Sequence, residues 1–403
     1  MAGEKIFGAY FPKHEYEARW AAVHSVMATK GYDAAVIWGR SGGTYERHGD
    51  IVYLLNYYSN QSGQIWDSFH EDLNAAAISA VILRPGEKPE LIADEPWPRQ
   101  HLIPTDRIAW DFDTIATMVA SLKAHGPRGR IAISGSDFLG FKYWEQITAA
   151  TPDIEWVVDD TLVSDIRIIK SPREHEAFRE GGEIVTRALN AVFEALLGGK
   201  SEQEAAGVGA REVFRSGGQV HMIPISSGEN IGYFTSQPIP GYSAATPEDG
   251  DLARAWVYGP MFEGYWLDPG RTTVIGLKPT NSQRHLVEST ASFVEKLRRM
   301  IKPGVTVAEI LALGDKLHEE LGGIKDQAAL KWPLYGHGNG LFWDEPVLSH
   351  GYKGKHQVIR EGMVMSTETF MALEGVGSAG FEQNFIVTAD GTELLTHTPL
   401  SWW

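Results

Sequence analysis

The chain predicts an α+β fold carried on two domains, a smaller α/β domain over residues 1–165 and a larger α+β domain over 166–403. Three observations support this. The first part contains short β-rich runs separated by helix-compatible segments, at Asp33–Trp38, Ile51–Leu55, Ile78–Leu83, Pro89–Ile92 and Arg130–Ser134. The boundary is marked by Ser171-Pro172-Arg173-Glu174, where a capping serine, a proline at the first helical position and a glutamate three residues on open a long helix. Beyond it, helices mix with runs that pair as antiparallel hairpins: Ala253–Tyr258 with Gly264–Ile275, and Met363–Glu368 with Gln383–Val387.

The helices follow from spacing. Tyr16, Trp20, Val23 and Met27 recur every three or four residues before Gly31, which predicts an amphipathic helix over 13–30 with a glycine stop. Ile184, Ala188, Val192 and Leu196 form the buried stripe of the long helix. Ser201-Glu-Gln-Glu204 and Thr306-Val-Ala-Glu309 repeat the capping box, and the second of these helices is expected to stop at Gly322-Gly323.

With 403 residues, 43% of them apolar, the chain can bury a large core. No run is apolar for long enough to cross a bilayer, and Met1–Tyr10 lacks the features of an export signal, so a cytoplasmic protein is expected. The absence of cysteine excludes disulfides, iron–sulfur clusters and thiolate zinc, which leaves His, Asp and Glu as metal ligands. A net charge of −16 without a basic block argues against nucleic acid.

Three stretches combine glycines with carboxylates or histidine: Tyr258-Gly-Pro-Met-Phe-Glu-Gly-Tyr265-Trp-Leu-Asp268-Pro-Gly-Arg271-Thr-Thr, Gly336-His337-Gly-Asn-Gly340, and Gly362-Met-Val-Met-Ser-Thr-Glu368 running on to Phe381-Glu382. Each is weak alone, and a carboxylate taken singly is more often solvated or hydrogen-bonded than a ligand. In this order and spacing they resemble the methionine aminopeptidase, aminopeptidase P, prolidase and creatinase family, over most of residues 166–403. The resemblance implies the "pita-bread" catalytic fold, preceded by the N-terminal domain of the creatinase and aminopeptidase P branch. The glycines around His337 lack the lysine and spacing of a phosphate loop.

The family's dinuclear peptidases bind two divalent ions through two aspartates, a histidine and two glutamates, which fall on positions 257, 268, 337, 368 and 382. Four match, as Asp268, His337, Glu368 and Glu382, whereas 257 is valine. In the family pattern the first aspartate serves one metal only, while the second aspartate and the last glutamate bridge both. The resemblance therefore implies one divalent ion per chain, Fe²⁺, Mn²⁺, Co²⁺ or Zn²⁺, held by one imidazole and three carboxylates. Creatinase uses the same pocket without metal, so a shared proton in place of a cation stays open.

The family's two outer histidines are missing as well. The loop at Tyr233-Phe-Thr-Ser-Gln237 has none, and Asp344 stands seven residues after His337, before Glu345-Pro346. Asp344 is a candidate general base, with a turn cap or an arginine partner as the plainer alternative. His221 and His350 are candidate stand-ins, Trp343 and Tyr265 candidate substrate contacts. Trp256, Trp266, Trp332 and Trp343 flank the motifs; core packing is the ordinary use of tryptophan, though an aromatic acidic pocket also suits a quaternary ammonium or sulfonium group.

Three functions follow. The first is a metal-dependent hydrolase moved from peptide cleavage to a small polar substrate. The second is a lyase, resembling the family's dimethylsulfoniopropionate lyases, with Asp344 as base. The third is an inactive binding protein on the same fold. The resemblance implies a homodimer in which the N-terminal domain of one chain borders the other's pocket; by position alone, Tyr57, Tyr58, Trp66 and His70 are candidates to reach it. Small-molecule substrates are expected, and neither nucleic acid nor a membrane.

Overall fold

The computed structural model describes residues 8–41, 48–59, 77–126, 129–321 and 334–403. The chain divides into two compact units, Met1–Arg167 and Ile168–Trp403. None of the described helices is long and apolar enough to cross a membrane.

The first unit runs α1 (Lys13–Lys30), β1 (Ala34–Arg40), α2 (Gly49–Leu55), β2 (Ile78–Leu83), β3 (Glu90–Ala93), β4 (Ile108–Trp110), α3 (Thr114–Ala124), β5 (Gly129–Ser134), α4 (Phe141–Ala150), β6 (Ile154–Val158) and α5 (Ser164–Arg167). The sheet order is β4-β3-β2-β1-β5-β6, with β1 antiparallel to β2 and parallel to β5. All six residues of β2 are buried, five apolar and Ser79 satisfied by Asp94 at 3.1 Å, as a strand covered on both faces requires. Helix α1 ends where Gly31 takes a left-handed conformation at φ 69°, as its glycine stop predicts.

One strand expectation is corrected. Ile51–Leu55 belongs to helix α2, not to a strand. Ile51, Leu54 and Leu55 are its fully buried residues, a three-and-four spacing that places them on one helical face, and Asn56 closes the turn at φ 51°. Over five residues, apolar composition did not separate the two periodicities. Tyr57 is also buried, donating its hydroxyl to Asp94 at 3.0 Å, so it belongs to this unit's interior and is not free to serve another chain's pocket. Trp66 and His70 lie outside the described residues.

The second unit runs α6 (Pro172–Leu197), α7 (Glu202–Arg215), β7 (Ile225–Ser227), β8 (Leu252–Trp256), β9 (Gly259–Phe262), β10 (Tyr265–Leu267), β11 (Gly270–Val274), α8 (Asn281–Met300), α9 (Val307–Glu320), β12 (Leu334–Asn339), β13 (Trp343–Ser349), β14 (Val364–Leu373), β15 (Gly377–Val387) and β16 (Thr392–Leu394). Each predicted capping box is formed: Ser171, Ser201 and Thr306 accept from the backbone N–H three residues on, and the glutamate there accepts from the cap's own N–H. Gly322-Gly323 lies outside the described residues.

Its main sheet has the order β13-β12-β14-β15-β11-β8-β7, every pair antiparallel, with β16 added beside β15. Strand alternation divides β14 and β15 between two tasks. Met365, Met371, Phe381 and Phe385 join the core with Leu286, Phe293, Val294 and Leu297 of α8, and the Thr367 hydroxyl donates to Val294 O at 3.1 Å. The even-numbered residues, among them Glu368, Phe370, Gly380, Glu382 and Asn384, take the opposite face. At roughly 1.5–3 kcal/mol for each large apolar side chain buried, the helix-facing residues dominate stability and leave the other face to polar groups. This helix-backed sheet is the α+β arrangement of the pita-bread fold.

Candidate metal centre

A single row of paired residues crosses four strands at the centre. Trp256 on β8 pairs with Gly270 on β11, Gly270 with Glu382 on β15, and Glu382 with Glu368 on β14. Paired residues present their side chains to one face, so Glu368 and Glu382 stand directly opposite one another, 5% and 2% exposed. Two carboxylates cannot both stay ionised at that spacing and burial without a compensating positive charge.

Asp268 and His337 complete the group. Asp268, His337 and Glu382 each offer a ligand atom, all within 4.8 Å of one another. Glu368 lies outside that tight group, as the fourth carboxylate across the ladder. His337 is held at its backbone by the Ser366 hydroxyl, 3.3 Å from its N–H, and at its ring by Nδ1, 2.9 Å from Gly338 O. The Gly338 carbonyl can only accept, so Nδ1 carries a proton and Nε2 is the ring atom turned toward the carboxylates. Nε2 is 3.3 Å from Asp268 Oδ2 and 3.5 Å from Glu382 Oε1. Both Nε2 and Glu382 Oε1 are buried and form no hydrogen bond of good geometry, although the Ser366 hydroxyl and the Asp268 carboxyl stand close enough to act on the Glu382 carboxyl. One imidazole nitrogen and two carboxylate oxygens turned toward one another form the donor set a divalent cation fits.

The remaining lone pairs are tied down. Asp268 Oδ1 accepts from the Asn339 and Asn384 amides at 3.0 and 2.7 Å, and Oδ2 accepts from the Trp343 indole at 3.0 Å. Glu382 Oε2 accepts from the Trp256 indole at 3.0 Å. Burial, and then the neighbouring Asp268 carboxylate, pushes the Glu382 carboxyl well above the usual range. The same field reaches Tyr258, whose hydroxyl is pushed up to about 12 by burial first and Asp268 next.

Asp344 takes a different place. It follows Trp343 on β13, so its side chain leaves by the opposite face of the strand. Its Oδ2 accepts from Lys170 Nζ at 2.8 Å, with both side chains 1% exposed. The general-base expectation is corrected in favour of an ion pair, with a lysine in place of the arginine considered from sequence. Tyr265 is corrected also: its hydroxyl donates to Glu174 Oε1 at 2.7 Å, inside the capping box of α6. His350 pairs with Asp315 at 3.1 Å on an exposed surface and stands beside Tyr335, apart from the metal-ligand group.

Trp343 borders the centre directly, and His221 packs against Tyr258, whose hydroxyl is under the influence of Asp268. The His221 ring packs 5.4 Å from Tyr258 and 5.0 Å from Trp266, and burial lowers its pKa. Trp343 stacks on His337 with ring centroids 4.3 Å apart and stays 42% exposed. Val257 is fully buried. Trp332 lies outside the described residues. Sequence reading missed Asn339, Asn384, Trp256 as a hydrogen-bond donor, and Lys170. Asn384 could have been found, since it lies two residues past Glu382 and shares its strand face. Arg271, fully buried, donates to the backbone carbonyls of Glu382, Thr398 and Gly270 and fixes the strand from behind.

The comparisons with known proteins give the family and the fold. The family model of metallopeptidase family M24 matches residues 176–389. The Xaa-Pro dipeptidase of Pyrococcus horikoshii is 28% identical over 249 residues, 59% of this chain and 65% of the relative, so the match spans just under two thirds of that relative's length. A creatinase from a Bacillus species is 25% identical over 429 residues, covering 98% of this chain and 94% of the relative. Among solved structures, the prolidase of Pyrococcus horikoshii superposes with a TM-score of 0.73 at 22% identity, covering 95% of this chain and 99% of that one. The prolidase of Thermococcus sibiricus gives 0.76 at 19%, covering 95% and 97%. With more than half of its residues inside the family model, and the ligand group built on the strands that model spans, the chain belongs to metallopeptidase family M24.

Proposed function

We propose that the chain is a single-metal hydrolase acting on a small polar substrate, one that has moved away from general peptide cleavage. The observation that supports this best is the pair of buried ligand atoms, His337 Nε2 and Glu382 Oε1, facing each other at 3.5 Å beside Asp268. Asp268, His337, Glu382 and Glu368 would hold a divalent ion, which supplies Lewis-acid activation of a carbonyl group and of water. Trp343 and the two asparagines hold Asp268 in position. His221, kept neutral by burial, is the proton carrier in this reading, since Asp344 is engaged by Lys170.

Aromatic rings around the acidic group favour a substrate with a cationic head. Trp343, stacked on His337 and partly exposed, and Tyr258, whose hydroxyl is under the influence of Asp268, border it, whereas Trp256 has both faces covered. The lyase reading loses support with Asp344, the base it requires. A homodimer and a cytoplasmic setting remain part of the proposal.

Metal analysis combined with a turnover screen of Xaa-Pro dipeptides, creatine-like amidines and ammonium or sulfonium carboxylates, run in ¹⁸O-water, tests this. Metal-dependent turnover with ¹⁸O in the product, lost in Glu368→Ala, is expected. An unsaturated product without ¹⁸O would instead show a lyase, and no turnover by metal-loaded protein would leave a binding role.

A further inference from the structure

We propose that Trp256 holds the centre at one ion, by placing its indole N–H where a second cation would need an oxygen of Glu382. The inference rests on the metal reading above and adds a residue that the missing carboxylate at 257 does not explain.

The argument is a count of lone pairs. A carboxylate offers about four acceptor positions over its two oxygens, and bridging two cations takes one oxygen for each. Asp268 already accepts three N–H bonds, two on Oδ1 and one on Oδ2. Glu382 offers Oε1 toward His337 and gives Oε2 to Trp256. Glu382 thus keeps Oε1 for the His337 side while an N–H donor holds Oε2, whereas Asp268 has N–H donors on both oxygens, Oδ2 facing His337 while also accepting from Trp343. The positive end of the indole dipole lies on the far side of Glu382, where it both occupies the lone pair and repels a cation.

The indole is not free to swing aside. Trp256 is 2% exposed and lies over Gly270 and Gly380, where a Cβ at either position would overlap its ring. Its other side stacks on Phe370 at an interplanar angle of 21°. The two glycines form a groove across β11 and β15 that only the bare backbone leaves open, and the indole fills it until its N–H meets Glu382. A second ion would have to break that packing as well as the hydrogen bond. Trp256 is therefore a positioning residue that acts through Glu382.

The test compares Mn²⁺ content and electron paramagnetic resonance of the full chain with those of Val257→Asp and Val257→Asp/Trp256→Phe. The family pattern's carboxylate at 257, restored alone, should leave the protein at one Mn²⁺ with an uncoupled spectrum. The double variant should take a second Mn²⁺ and show spin coupling. Two coupled ions in Val257→Asp, or one ion in the double variant, would overturn the role of Trp256. Two ions, or none, on the unaltered chain would contradict the underlying metal reading instead. If the variants do not fold, the ¹⁵N-indole spectrum of the unaltered protein decides: the Trp256 N–H should stay exchange-protected through a ten-fold excess of Zn²⁺. Loss of that protection as metal is added would overturn the proposal.

Discussion

Two groups of buried carboxylates lie within the second unit and are neutralised in opposite ways. Asp344 is closed: Lys170 meets it at 2.8 Å, and the two charges cancel within the chain. Asp268 and Glu382 are open: among the described residues no lysine or arginine is bonded to their carboxylates, and His337 Nε2 faces both. Burial alone therefore does not mark a site. What marks it is negative charge gathered beyond what the nearby Arg271 guanidinium offsets, because folding tolerates such a group only where a proton or an ion completes it.

The largest test of that contrast is at the closed pair. Lys170→Met should leave Asp344 buried and uncompensated, costing about 3–5 kcal/mol, or roughly 6–20 °C of melting temperature. Lys170→Met/Asp344→Leu should recover most of that loss in calorimetry, and an equally unstable double variant would break the comparison. The open group should respond in the other direction. Without metal, Glu382→Gln should stabilise the protein at mildly alkaline pH, by on the order of 1 kcal/mol, because it removes a like charge facing Glu368 and Asp268. It should also abolish metal binding in titration calorimetry.

A pH series sharpens the same point. The folded-state pKa of Glu382 is raised, by burial and then by Asp268. Its contribution is therefore present at low pH and is lost as pH rises through the folded value. Melting temperatures in chelator should fall from mildly acidic to mildly alkaline buffer, and a bound divalent ion should flatten the slope. Equal slopes with and without metal would show that the group is not completed by an ion. Trp343→Phe, which removes one N–H from Asp268, should weaken metal binding about ten-fold by titration. The smallest effect is expected at the exposed His350, where His350→Ala should change stability by no more than about 0.5 kcal/mol and leave metal content unaltered.

Much of this was readable in the sequence where the governing interactions are local. The three capping boxes lie within four residues each, and all three form. The pairing of Met363–Glu368 with Gln383–Val387 follows from strand periodicity and places Glu368 opposite Glu382. The short run at Ile51–Leu55 misled, because five apolar residues fit a helix as well as a strand. Asp344 and Tyr265 misled for another reason. Their partners, Lys170 and Glu174, lie 174 and 91 residues away, and a motif cannot tell which face of a strand a neighbouring carboxylate will meet. Trp256 was visible only as a flanking tryptophan, since its donor role depends on glycines at 270 and 380 on two other strands.

The central claim is that the open group is completed by one cation. Elemental analysis of the full chain after Mn²⁺ reconstitution and exhaustive dialysis tests it most directly. One Mn²⁺ per chain, lost in Glu382→Gln, is the predicted result; two per chain, or none, would contradict it.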